Sequence, residues 1–200
     1  MIDLAHPYRH ARPSDARALS TLIDLAGDGL PSYLWAGMAQ AGETAADVGA
    51  RRAQREEGSF SYRNAVVADE GAGAIAALIG YPLAAEPTAI TSDMPAMFVP
   101  LQELENLACG SWHINALAVA PERQGRGCGT ALLALAERLM SASGCRGLSL
   151  IVSDANAGAR RLYARCGFRA VAARAIVKGG WDHAGSQWHL MVRDRSRHAP

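Results

Sequence analysis

The segment that most constrains this chain is the apolar run Leu117-Ala118-Val119, followed by Gln124-Gly125-Arg126-Gly127-Cys128-Gly129-Thr130 and the leucine-rich stretch from Ala131 to Met140. It reads as a strand, a glycine-rich turn and a helix start. Alternate glycines leave successive backbone N–H groups unshielded, and the helix directs the positive end of its dipole at the same spot, so phosphate oxygens are the natural guest. Two common phosphate motifs fail against these residues. A dinucleotide fingerprint beginning at Gly125 would need glycine where Thr130 stands, and a P-loop would need Gly-Lys-Ser or Gly-Lys-Thr at its close.

The 200 residues, half of them hydrophobic, suffice for one well-buried core, so a single domain over residues 1–200 is expected. Twenty basic and 19 acidic residues leave a net charge of +1, which gives no long-range attraction for nucleic acid or an anionic membrane and favours small-molecule partners. Cys109, Cys128, Cys145 and Cys166 form no Cys-x-x-Cys pair and have no paired histidines nearby, so no metal site is expected. The longest apolar stretch, around Ile75 to Ile79, is far below the ~20 residues of a membrane span. Met1 to Pro13 mixes charge, histidine and proline, unlike a signal sequence. These features predict a cytoplasmic protein with reduced thiols.

Along the chain, Ser14-Asp15 opens a helix through Leu19, Leu22, Ile23 and Leu25 that ends at Gly27 and Gly29; Pro31 suits the first turn of a second. A third, polar helix is predicted over Thr44 to Glu57, with Arg51, Arg52, Arg55, Glu56 and Glu57 as a solvated face. Asn64 to Ala68 and Ala74 to Tyr81 read as a hairpin about Glu70-Gly71-Ala72-Gly73. After a Pro-, Thr- and Ser-rich connection from Ala84 to Pro95, helical spacing resumes over Met97 to Leu107, and Trp112 to Val119 reads as a central strand. Leu132, Leu135, Ala136, Leu139 and Met140 make one buried stripe on a helix closed by Gly144. A strand from Gly147 to Val152, a helix from Asn156 to Arg165 stopped by Gly167, and strands Arg169 to Val177 and Gln187 to Val192 follow, with Arg193 to Pro200 as a frayed tail. The class is mixed α/β without internal repeats.

The turn fits Gln-x-x-Gly-x-Gly at Gln124, Gly127 and Gly129, and Asn156 to Phe168 carries Leu162-Tyr163, three residues, then Gly167-Phe168. In these two motifs, their order and their separation, the chain resembles the GNAT family of N-acetyltransferases over Trp112 to Val192, with weaker likeness in the first eighty residues. The resemblance implies a mostly antiparallel, twisted sheet of six to seven strands flanked by helices, with a central parallel pair splayed to admit CoA. It also implies an acetyl-CoA-dependent N-acetyltransferase that moves the acetyl group directly to a primary amine of a small molecule or peptide, without an acyl-enzyme. Homodimers are common in the family.

The family's roles map onto this sequence as follows. Backbone amides from Gly125 through Arg126, Gly127, Cys128 and Gly129 to Thr130 would hold the pyrophosphate with Gln124, while the main chain of Leu117, Ala118 and Val119 would pair with pantetheine as a neighbouring strand would. Arg126 is either a phosphate contact or a solvated side chain, and Cys128 a small apolar filler where the family has an aliphatic residue. Tyr163 matches the tyrosine that faces the thioester sulfur; the alternative is a core tyrosine. Asn156 contacts the cofactor, caps its helix, or does both. His113 stands where several members place the base, and a reference pKa of ~6.5 suits that task; otherwise it is a strand-end histidine without a role. Asn115, on the same face by strand alternation, would orient water or substrate. Tyr33, Trp35 and Trp181 fall in segments flanking the acceptor groove, or pack the core.

Glu103 and Glu105 would recognise a cationic amine or supply the base, unless they simply form a charged exposed helix face. A reading from another class is a non-catalytic acyl-CoA-binding sensor. A nucleotide enzyme lacks the lysine and acidic metal ligands of phosphoryl transfer. Polyamine, aminoglycoside, amino acid, arylalkylamine and protein N-terminus all stay open as acceptors, because the acceptor pocket is built from variable loops.

Overall fold

The computed structural model describes residues 2–195. Its strands are β1 (Tyr8–His10), β2 (Ala65–Asp69), β3 (Ala74–Pro82), β4 (Trp112–Val119), β5 (Gly147–Ser153), β6 (Arg169–Ala175) and β7 (Gln187–Asp194). Its α-helices are α1 (Ala16–Ala26), α2 (Leu30–Ala36), α3 (Ala45–Ala53), α4 (Val99–Asn106), α5 (Cys128–Ala142) and α6 (Ala157–Arg165). The strands form one seven-stranded sheet in the order β1-β2-β3-β4-β5-β7-β6. β1 with β2, β2 with β3, β5 with β7 and β6 with β7 run antiparallel, whereas β4 and β5 are parallel through Trp112↔Leu148, His113↔Ser149 and Ile114↔Leu150. Among the described residues no helix is long and apolar enough to cross a membrane.

Two compact units share the chain: Met1–Tyr81 with Asn115–Leu132, and Pro82–Ile114 with Leu133–Pro200, so that β4 and α5 each contribute to both. In the first, Leu19, Leu22 and Ile23 of α1, Trp35 of α2 and Val48 of α3 pack with Val67, Ile79 and Ala118. α3 starts at a reciprocal cap, in which Asp47 N–H donates to Thr44 Oγ1 (3.2 Å) and Thr44 N–H donates to Asp47 Oδ2 (3.0 Å). It ends at Ala53, short of the expected Glu57. Tyr62 and Arg63 bind Glu56 instead, drawing that part of the predicted solvated face into a turn, and Arg51 pairs with Glu43. Gly49 lies inside α3 against Ser20 of α1 and Trp35 of α2, whose indole stacks on Phe60 with centroids 5.6 Å apart.

Strand β1 was not expected; three residues of polar, aromatic and charged character carry no readable period. It is fixed by Arg9, whose guanidinium grips Asp15 through two hydrogen bonds (2.7 and 2.8 Å) and Asp69 at the end of β2 (2.6 Å). Asp69 also accepts from the N–H groups of Gly71 and Gly73, closing the hairpin turn. These hydrogen bonds, Arg9's foremost, hold the Asp69 carboxyl down at about 2, and Arg9 lowers Asp15 as well.

In the second unit β5 is buried over most of its length and pairs with β7 from Gly147↔Asp194 to Ser153↔Trp188. Matching β5 in full draws Arg193 and Asp194 into β7, so the predicted frayed tail begins too early; residues 196–200 of that tail lie outside the described residues. β6 is likewise shorter than the expected Arg169 to Val177, ending at Ala175. Leu104 and Ala108, on and just after α4, cover Leu190, with Ile151, Trp188 and Val192 packed around them. α6 is capped by Asn156, whose Oδ1 accepts from Ala159 N–H at 3.0 Å, and Gly167, with φ of 84°, supplies the left-handed stop.

Two outcomes are expected. Asp15 and Asp69 have folded pKa values below the unfolded ~3.9, so their stabilisation is complete above that value and disappears as pH falls through the folded values. Thermal unfolding followed against pH should therefore lose stability between about pH 4 and 2, and Arg9→Ala should lower the melting temperature at pH 7 and flatten that acid slope. Gly49→Ala should destabilise by about 1–3 kcal/mol, because its methyl would meet the Trp35 ring and Ser20 Oγ, outweighing the ~1 kcal/mol that alanine ordinarily adds to a helix; a raised melting temperature would refute the packing argument.

Candidate functional site

The turn between β4 and α5 leaves several main-chain donors without a protein acceptor among the described residues. Ala120 N–H binds Ile75 O of β3 (2.9 Å) and the Gln124 side-chain amide donates to Val119 O of β4 (3.0 Å), tying the start of the turn to both strands. The chain then turns back through Gly125 and Gly127, with φ of 74° and 84°, conformations that favour glycine. A side chain at either position would meet no protein atom within 4 Å, so the turn borders open space. Ala131 N–H is the first to return to a protein carbonyl, Gly127 O at 3.0 Å; the N–H groups of Cys128, Gly129 and Thr130 are the uncommitted first turn of α5. Among the described residues, no backbone N–H from Gly125 to Thr130 has a protein acceptor.

That arrangement fits a diphosphate by its donor set: several N–H groups without protein acceptors, a helix N-terminus and no acidic side chain within the turn. Arg126 is exposed beside it, and Cys128 is half-buried at the helix start. Gln124 contributes by bracing Val119 O with its side chain. Leu117, Ala118 and Val119 lie beyond the β4–β5 ladder, with Ala118 buried and its two neighbours half-buried.

The second unit holds a buried polar chain that periodicity could not reveal. Ser111 and Ser149 hydroxyls lie 2.7 Å apart, Ser149 Oγ is 2.9 Å from His113 Nδ1, and His113 Nε2 is 3.9 Å from Glu105 Oε1. Ser149 is brought to His113 by register, as its direct partner on the parallel strand. His113 is only 2% exposed, and burial lowers its pKa to about 4. Glu105, on α4, keeps 24% of its side chain exposed, and burial raises its pKa above the ordinary glutamate value. The expected charged exposed face on α4 is thus corrected: Glu103 pairs with Arg174 of β6, and Glu105 turns in towards His113 because α4 packs down on the sheet.

Tyr163 is 7% exposed on α6, with its ring 5.9 Å from that of Phe168, and burial alone raises its pKa to about 12. Among the described residues its hydroxyl has no hydrogen-bond partner. Trp181 is buried and stacks on His183 at 4.1 Å, with Trp188 beyond; His183 Nε2 lies 2.7 Å from Ser153 Oγ. Asp154 accepts from the N–H and hydroxyl of Ser186, fastening the β6–β7 connection to the end of β5. Trp35 is a core residue, Tyr33 is exposed, and Asn115 is exposed with its amide donating to Tyr81 Oη at 3.2 Å. Ser111, Ser149, Asp154 and His183 were not singled out in the sequence, since only strand register and loop closure give them partners.

The family model described as the acetyltransferase (GNAT) family matches residues 46–168. Among solved structures, an N-acetyltransferase from Staphylococcus aureus is similar in fold with a TM-score of 0.65 at 17% identity, over 93% of this chain and 99% of that one. A structure described as an acetyltransferase gives a TM-score of 0.64 at 21% identity, over 94% and 98%. No curated protein matches the sequence closely. The uncommitted N–H groups after β4 and the tyrosine on α6 both fall within the matched residues, and the chain belongs to the GNAT family of acetyltransferases, whose acetyl donor is acetyl-CoA.

Proposed function

We propose that this chain transfers the acetyl group of acetyl-CoA directly to a primary amine, on a small molecule or a peptide, with no acyl-enzyme, and that residues 1–200 act as one catalytic domain. The observation that carries this reading is the run of N–H groups from Gly125 to Thr130 that have no protein acceptor among the described residues, at a turn where a Cβ on Gly125 or Gly127 would meet no protein atom within 4 Å. Acetyl-CoA supplies an acetyl group activated as a thioester. Gly125 to Thr130 grip its diphosphate, Arg126 adds charge at the mouth, and the main chain of Leu117 to Val119 offers strand-like hydrogen bonds to the pantetheine amides. Asn156 serves by capping α6 and so fixing Tyr163.

The amine nitrogen bonds to the acetyl carbon, the carbon–sulfur bond breaks, and the leaving sulfur accepts a hydrogen bond from Tyr163. With the phenol near 12 and a thiol near ~8.5, complete proton transfer from Tyr163 would be uphill by roughly 5 kcal/mol. Tyr163 therefore stabilises the departing thiolate chiefly by donating a hydrogen bond, and its otherwise unpartnered hydroxyl suits that role.

Calorimetric titration with acetyl-CoA tests the cofactor half of the reading. Gly127→Ala should weaken binding about tenfold while lowering fold stability by only ~1–2 kcal/mol, the strain of a left-handed non-glycine residue; unchanged affinity would sink the cradle. Tyr163→Phe should keep acetyl-CoA affinity and lose about a hundredfold in kcat, measured as amine-dependent release of CoA thiol. Binding without any amine-dependent release from the parent protein would point to an acyl-CoA sensor instead.

A further inference from the structure

Resting on the transferase reading above, we propose that Glu105 on α4, and not His113, takes the proton from the acceptor amine, with His113 and Ser149 acting as positioning residues behind it. The geometry points there because only one member of the polar chain reaches solvent. Ser111, Ser149 and His113 are all buried, whereas Glu105 keeps a quarter of its side chain exposed. An incoming ammonium can meet that carboxylate but not the imidazole.

Orientation of the chain follows from the carboxylate at its open end. A neutral imidazole has one N–H, and Glu105 facing Nε2 favours the tautomer with its proton there. His113 Nδ1 then accepts from the Ser149 hydroxyl, and Ser149 Oγ accepts in turn from Ser111. Every hydrogen thus points towards Glu105. At 3.9 Å the imidazole is beyond hydrogen-bond range and steadies the carboxylate as an aligned dipole. Direct protonation of His113, with a pKa of about 4, would cost roughly 4 kcal/mol at neutral pH, so it is an inferior acceptor.

Charges on the elements packed against α4 are otherwise engaged. Arg174 of β6 binds Glu103, Arg169 of β6 binds Asp194 of β7, and Arg193 of β7 binds Glu137. His189 of β7 stands opposite Val152 and Ala173 in the ladders. Among the described residues, no arginine or lysine pairs with Glu105, which leaves its carboxylate available to a cationic guest.

The proton balance is closed. An ammonium R–NH3+ gives one proton to Glu105, which passes it to water; the resulting amine attacks the thioester carbon. The second nitrogen proton ends on the released CoA thiol, and the product is the neutral amide.

The test follows CoA-thiol release with tyramine, spermidine, kanamycin and an alanine-terminated peptide, for the parent chain, Glu105→Gln, Glu105→Asp, His113→Asn and Ser149→Ala, each checked for folding by thermal melts and for acetyl-CoA affinity by calorimetry. Glu105→Gln is expected to lose about a hundredfold in kcat/KM at pH 7 and the acidic limb of its pH profile, with acetyl-CoA affinity unchanged; Glu105→Asp should recover part of both. In the parent chain that limb lies above the ordinary glutamate value, since burial raises Glu105, and activity falls as pH drops through it. Ser149→Ala and His113→Asn should retain the limb and move it to higher pH, because the supporting dipole is lost. A parent-like profile in Glu105→Gln, or a limb abolished by His113→Asn alone, would overturn the assignment while leaving the transferase reading intact. Acetyl-CoA binding with no release on any of the four amines would remove both.

Discussion

The structure depends on a stretch of main chain, Gly125 to Thr130, whose N–H groups find no protein acceptor among the described residues. Gly125 and Gly127 take left-handed conformations there, while Ala120 and Gln124 anchor the junction to Ile75 and Val119. In an interior such donors would be costly, of order 1–3 kcal/mol each. At the surface, water satisfies them at little loss, and in the proposed reading a diphosphate replaces that water. In that reading the strand behind the turn and the helix ahead of it hold the donors in place before the ligand arrives.

What the sequence reveals of this arrangement is local. Glycine spacing and the helix that follows specify the cradle because both the positive φ values and the dipole arise from neighbouring residues. Tyr163 is found by its spacing to Gly167 and Phe168 within a single helix and its cap. The hairpin β2–β3, the central strand and the buried stripe of α5 follow from periodicity, although Leu133 joins the stripe and Leu139 is only half-buried. Features made by distant residues are not legible. Ser149 has no signature apart from its register opposite His113, and Arg9 reveals nothing until Asp15 and Asp69 converge on it. α4 carries acidic residues that look solvated in a helical projection, yet the helix lies down on β5, β6 and β7 and turns Glu105 inward.

In the proposed mechanism burial divides the chemistry among three side chains. A low-dielectric environment penalises whichever form of a group is charged, so it moves His113 to about 4 and Tyr163 to about 12. Both are neutral across the working pH range, one as a dipole and the other as a hydrogen-bond donor. Glu105 differs because it is buried enough for its carboxyl to be raised but open enough to exchange protons with water. Its carboxyl is therefore held above the ordinary glutamate value, and in the proposed mechanism the role of base passes from the histidine to this carboxylate, the member of the polar chain that reaches solvent.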